Sequence, residues 1–149
     1  MNYRILFLTA GMFVIGTEAF MIAGLLPALA EDLDVSISAA GQLVTVFSLA
    51  YAFGSPILAT LTGGMERRRL MTGAMLLFAA GNAICGWAPS YGLMFLGRVM
   101  TAAGAGLFAP AASHTASVLT DPGRRGRALS LVLGGATIAL ILGVPAGSW

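Results

Sequence analysis

Charge is what this sequence most lacks: Asp, Glu, Lys and Arg together make up 9% of its 149 residues, against about 25% in a soluble domain. With 58% hydrophobic residues beside so little charge, water is excluded as the main solvent. Lysine is missing altogether, and the eight basic residues are all Arg. A formal net charge of +2, scattered along the chain, excludes the basic footprint that a nucleic-acid partner requires. Cysteine occurs once, at Cys85, which excludes an internal disulfide and leaves no second thiol for a metal. Set in an apolar block, it reads as a buried small residue. The sequence also lacks a nucleophile–base set, a phosphate-cradling loop and any cluster with metal-ligand spacing, so it points to no enzyme, no cofactor and no metal site.

What the chain has instead is apolar residues in blocks of roughly 20, the length a bilayer imposes on a helix. Five candidate spans follow: 5–28, 40–61, 70–88, 91–118 and 128–149. Inside hydrocarbon each backbone amide must bond within its own segment, and these Leu/Ala/Gly-rich runs lack the alternation of a membrane barrel strand. The expected fold is therefore all-α, a polytopic membrane bundle of about five helices in contact with the lipid bilayer. Glu31, Asp32, Asp34, Ser36 and Ser38 mark the first loop, 63–69 the second, Ala88, Pro89 and Ser90 the third, and 120–127 the fourth.

If successive helices alternate, Arg4, Arg67, Arg68, Arg69, Arg124, Arg125 and Arg127 share one side, and the opposite loops carry no basic residue. By the positive-inside rule the Arg side is cytoplasmic, which places the amino end inside and Trp149 outside. Ala28-Leu29-Ala30 resembles a signal-peptide cleavage site. The stretch before it is too long for a signal core, however, and has Glu18 at its middle.

Two ionisable residues fall within spans, Glu18 in the first and Arg98 in the fourth, and each costs at least about 2.5–3.5 kcal/mol if it faces lipid. Glu18 lies about 16 Å below the outer end of its helix and Arg98 about 10 Å below the outer end of its own, at 1.5 Å per residue. Their long side chains could bridge that offset. One reading is mutual neutralisation that orients the helices; the other is that Glu18 takes up and releases protons as its surroundings alternate between apolar and cationic. Glu18 shares its face with Gly11, Val14, Ile22 and Leu25. Arg98 shares its face with Ala102, Ala105, Ala109 and Ala112, small residues that suit either a substrate cavity or a close neighbouring helix. His114 lies about 160° around the fourth helix from Arg98, which weakens a proton-relay role and favours a hydrogen-bonded histidine near the inner end.

The fifth span carries Gly135, Ala139, Gly143 and Gly147, a small residue at every fourth position. In lipid, close backbone approach supplies helix–helix attraction, so this stripe is a packing face. Pro145 beside it removes a backbone donor and is expected to bend the helix near its outer end.

These motifs resemble the major facilitator superfamily, in particular its drug:proton antiporter branch of twelve-helix transporters. Gly16-Thr17-Glu18-Ala19-Phe20, with Gly24-Leu25-Leu26-Pro27 and Asp32-Leu33, is similar to that branch's opening signature. Leu96-Gly97-Arg98-Val99, with Gly104 and Gly106, resembles the fourth-helix motif whose Arg is implicated in proton coupling. Arg125-Gly126-Arg127-Ala128 resembles the loop between helices four and five. Gly134-Gly135 and Gly143-Val144-Pro145-Ala146-Gly147 resemble the fifth-helix antiporter motif associated with export. One departure concerns the loop between helices two and three, where the family carries Asp-Arg-x-Gly-Arg. Here Gly63-Gly64-Met65-Glu66-Arg67-Arg68-Arg69 keeps only the basic cluster, with Glu66 as a partial substitute for the Asp. A second departure is length: the family folds as two six-helix halves, and these five helices form an incomplete first half, with the second half absent.

The resemblance implies a fragment of a proton-coupled exporter of the bacterial inner membrane, with Glu18 and Arg98 as coupling residues. Its partners would be protons, a small organic solute (drug, sugar or nucleoside) and the missing half of the transporter. Two other readings stay open: a short membrane interaction subunit that packs through the Gly135 to Gly147 stripe, and a facilitator independent of protons.

Overall fold

In the computed structural model, which describes residues 3–143, the elements are helical throughout. They are α1 (Tyr3–Asp32), α2 (Ile37–Leu61), α3 (Arg67–Trp87), α4 (Tyr91–Val118), a 3-10 turn (Pro122–Arg124) and α5 (Arg125–Ile138), which continues into a π turn (Ala139–Gly143). Among the described residues, five helical segments are long and apolar enough to cross a membrane. Large apolar side chains such as Phe7, Phe53 and Leu76 are exposed, as suits a surface whose solvent is lipid rather than water.

The helices begin and end by local chemistry. Asp34 adopts φ 51°, a left-handed conformation that Asp tolerates better than most residues. This lets Asp34 N–H reach Glu31 O at 3.2 Å and Val35 N–H reach Ala30 O at 2.9 Å, which satisfies two terminal carbonyls of α1. Ser36 then caps α2, its Oγ accepting from Ala39 N–H at 3.1 Å.

Contacts divide the chain into two units, one comprising Met1–Gly24 with Ala109–Trp149, the other Leu25–Phe108. In the first unit α1 packs on α5. A Cβ added to Gly135 would overlap Thr9 O and lie 3.1 Å from Phe13 N, and one added to Gly16 would lie 2.9 Å from Ala136 Cα. Thr9 Oγ1 sits 3.2 Å from Leu131 O, in addition to its bond with Ile5 O at 2.9 Å. Position numbers rise together on the two helices, so α1 and α5 run parallel.

In the second unit α4 packs on both α2 and α3. Tyr91 Oη donates to Ala39 O at 2.9 Å, Arg98 Nε to Leu43 O at 3.4 Å and Ser55 Oγ to Gly106 O at 2.7 Å, so α2 and α4 run parallel. Against α3 the order reverses. A Cβ at Gly81 would come within 2.8 Å of Thr101, and one at Gly104 within 2.7 Å of Ala74 O and Phe78 N, which makes α3 and α4 antiparallel.

Some helix ends differ from the sequence expectation. Glu31 and Asp32 complete the last turn of α1, Arg67 to Arg69 form the first turn of α3, and α5 starts at Arg125. Charged residues at a span's end reach water without the backbone leaving the helix, so loss of hydropathy does not mark loss of helix. In the fifth span the departure from α geometry comes at Ala139–Gly143. Pro145 and Gly147 lie outside the described residues.

Candidate functional site

Arg98 stands seven residues into α4 and is 1% exposed, in a helix that holds no other Asp, Glu, Lys or Arg. Besides donating Nε–H to Leu43 O, it holds its guanidinium carbon 4.4 Å from the centroid of the Phe47 ring. Phe47 in turn stacks on Tyr51 at 6.2 Å and 19°. A planar, weakly hydrated cation suits this setting, because its face meets an aromatic quadrupole while its edge donates hydrogen bonds. Thr101 Oγ1 donates to Arg98 O at 3.0 Å. On the α3 side, Gly97 lies against Gly81 and Cys85, so a helix without side-chain bulk on one flank presses its one cation towards α2.

The alanines on the face of Arg98 decide a question left open by their size. Ala102 and Ala105 are both 0% exposed, and Ala109 and Ala112 are buried too. Small residues covered this completely belong to close helix packing rather than to an open cavity.

Glu18 is half-buried on α1, two residues beyond the Gly16 contact with α5. Of its face neighbours in the same unit, Gly11 and Ile22 are buried and Val14 is exposed. Thr17 beside it turns its hydroxyl back to Phe13 O at 2.9 Å. His114 is exposed near the carboxyl end of α4. Its carbonyl accepts from Ser117 Oγ at 2.8 Å.

Apart from Arg98, the Arg residues are exposed at or beside helix starts. Arg67, Arg68 and Arg69 open α3, where Arg69 Nε lies 3.2 Å from Glu66 Oε2. Glu66 is thus engaged one turn away on its own helix, in an exposed pair whose contribution is at most about 1 kcal/mol. Arg124, Arg125 and Arg127 surround the 3-10 turn. Two of them, Arg124 and Arg127, join Ile5, Asp121 and Leu131 around an open cavity of about 410 Å³. Among the described residues, no three His, Cys, Asp or Glu side chains are grouped to hold a metal ion.

Sequence reasoning passed over Phe47, Ser55, Tyr91, Gly81 and Thr101. Phe47 gave no signal, since an aromatic residue in an apolar span is ordinary. Ser55 did give one: Pro110 deprives the carbonyl of Gly106 of its helical donor, and a hydroxyl elsewhere in the apolar spans is the kind of group that replaces it.

Helices of membrane-crossing length, lipid-suited surfaces and a buried intramembrane cation define a multi-pass membrane protein. Residues 8–149 match the Major Facilitator Superfamily. The chain is 39% identical over 146 residues to the uncharacterized MFS-type transporter YbcL of Bacillus subtilis, covering 98% of this chain and 37% of that protein. It is 35% identical over 148 residues to the inner membrane transport protein YdhP of Escherichia coli K12, covering 99% and 38%. To a chloramphenicol resistance protein of Streptomyces lividans it is 36% identical over 141 residues, covering 95% and 36%. The chain therefore belongs to the Major Facilitator Superfamily, a family of transporters rather than enzymes, and it spans less than two fifths of the length of these relatives.

Proposed function

We propose that this chain forms part of a proton-coupled exporter of a small organic solute in a bacterial inner membrane, with its amino end in the cytoplasm. Glu18 carries the proton, and Arg98 modulates the affinity with which the carboxyl holds it. Protons that enter down their gradient drive the solute out, so the work is transport without covalent chemistry. The observation that carries this reading is Arg98: an intramembrane cation, 1% exposed and seated on a carbonyl and an aromatic ring, is a costly feature that a mere anchor does not need. The name of the Streptomyces lividans relative makes chloramphenicol the first solute to try.

The interaction-subunit alternative loses ground here. Among the described residues of its proposed docking stripe, Gly135 and Ala139 are buried and lie at the approach of α1.

The test is efflux of chloramphenicol and a panel of other organic solutes from proteoliposomes holding the full-length protein under an imposed pH gradient. Glu18→Gln is expected to reduce efflux to the level left after a protonophore collapses the gradient. Unchanged efflux in Glu18→Gln would exclude this residue as the coupler. Wild-type flux indifferent to the protonophore would instead mark a facilitator.

A further inference from the structure

The hydroxyls of this chain mostly turn inward to their own helices. Ser48 donates to Val44 O, Ser113 to Ala109 O, Thr115 to Ala111 O and Ser130 to Gly126 O, each four residues back, the usual habit of Ser and Thr within helices. Ser55 does otherwise. Its Oγ leaves α2 and donates to Gly106 O on α4 at 2.7 Å, at the short end of the O–H···O range.

The acceptor explains the choice. In an α-helix the carbonyl of residue 106 is bonded by the N–H of residue 110, and residue 110 is Pro110, inside α4. Proline has no N–H, so this carbonyl loses its helical donor, and a Ser hydroxyl on a neighbouring helix is one of the groups that re-satisfy such a carbonyl within a membrane. Gly106 also provides access. A Cβ there would lie 3.1 Å from Ser55 Cβ and 3.3 Å from Ser55 Cα, tighter than ordinary contact, so any other residue would hold the hydroxyl away.

We propose that Ser55 is a positioning residue of the transporter: its hydroxyl supplies the donor that Pro110 removes, and the bond fixes the register of α4 on α2. Arg98, two turns before Gly106, is seated by that same register on Leu43 O and the Phe47 ring. Proline-containing α4 is thereby pinned at its weak point by a single replaceable hydrogen bond rather than by bulk. The functional weight given to Arg98 rests on the proposed transport role; the Ser55–Pro110 relation does not.

A four-member cycle on the full-length protein tests it: wild type, Ser55→Ala, Pro110→Ala and the double variant, followed by thermal unfolding in detergent and by gradient-driven efflux. Ser55→Ala is expected to lower the unfolding midpoint and the efflux rate. Pro110→Ala restores a backbone N–H at position 110, so adding Ser55→Ala to it is expected to lower the midpoint no further. An equal drop in both backgrounds would overturn the proposal, as would a double variant that fails to fold when Pro110→Ala folds. Where Pro110→Ala does not yield folded protein, the near-isosteric pair Ser55→Thr and Ser55→Val decides. The hydroxyl-bearing Thr is expected to retain both midpoint and efflux and Val to lose them, and equal behaviour of the two would refute the assignment. The midpoint readout holds whether or not Glu18 proves to be the coupler.

Discussion

At the scale of single residues, Glu18 and Arg98 stood out in the sequence because a charge in an apolar span is expensive and therefore rare. What surrounds Arg98 did not stand out. A backbone carbonyl such as Leu43 O leaves no trace in side-chain pattern, and Phe47 looks like any lipid-facing aromatic until the fold shows it at 8% exposure with a guanidinium 4.4 Å from its centroid. The arrangement yields a sharp expectation. Arg98→Lys keeps the charge but loses both the planar face and the Nε donor, and Phe47→Leu keeps the apolar bulk but loses the quadrupole. A double-mutant cycle on these two, read from chemical unfolding in mixed micelles, is expected to give a coupling of about 0.5–2 kcal/mol, the range for a cation over an aromatic face. Additivity within error would mean that the ring merely fills space. Arg98→Lys should also lower efflux more than Phe47→Leu does, since it disturbs the bond to Leu43 O as well as the contact with the Phe47 ring.

At the scale of elements, the membrane spans were readable from hydropathy alone, whereas their ends and partners were not. Hydropathy marks where hydrocarbon stops, and a helix runs on past that point, as α1 does to Asp32 and α3 does back to Arg67. The small-residue stripe of α5 announced a packing face, but its periodicity could not say which helix it meets; the answer is the stretch of α1 around Thr9, Phe13 and Gly16. Adjacent glycines in α5 now separate into two kinds. Gly135 has backbone of α1 where a Cβ would go, while Gly134 has nothing within 4 Å. Gly135→Ala is expected to destabilise by about 1–3 kcal/mol through overpacking. Gly134→Ala should be neutral or stabilising by up to about 1 kcal/mol through helix propensity. Unfolding midpoints for the two variants check this directly, and like signs at both positions would mean that α1 and α5 part easily. Gly104, close to Ala74 O and Phe78 N, should behave like Gly135 in the α3–α4 pair.

At the scale of the whole molecule, the pairings within each unit carry information about membrane topology that neither hydropathy nor Arg counting contains. If five helices cross in alternation, neighbours with both numbers odd or both even must run parallel, and a mixed pair must run antiparallel. Three pairs obey this rule: α1 with α5 and α2 with α4 are parallel, while α3 with α4 is antiparallel. Internal packing is indifferent to which side is which, however, so direction rests on charge: the Arg-bearing ends should face the cytoplasm. Single cysteines introduced in a Cys85→Ala background separate the two claims. Ser38→Cys and Ser90→Cys are expected to react with a membrane-impermeant thiol reagent added outside spheroplasts. Gly64→Cys and Gly123→Cys, exposed positions with open space around them, should react only after permeabilisation. A fully inverted pattern would overturn the direction and spare the alternation. Ser38→Cys and Ser90→Cys labelling from opposite sides would break alternation itself. That second outcome requires a parallel α2–α4 pair to enter the membrane from two different faces, which the hydrogen bonds of Tyr91 and Arg98 to α2 and of Ser55 to α4 do not permit.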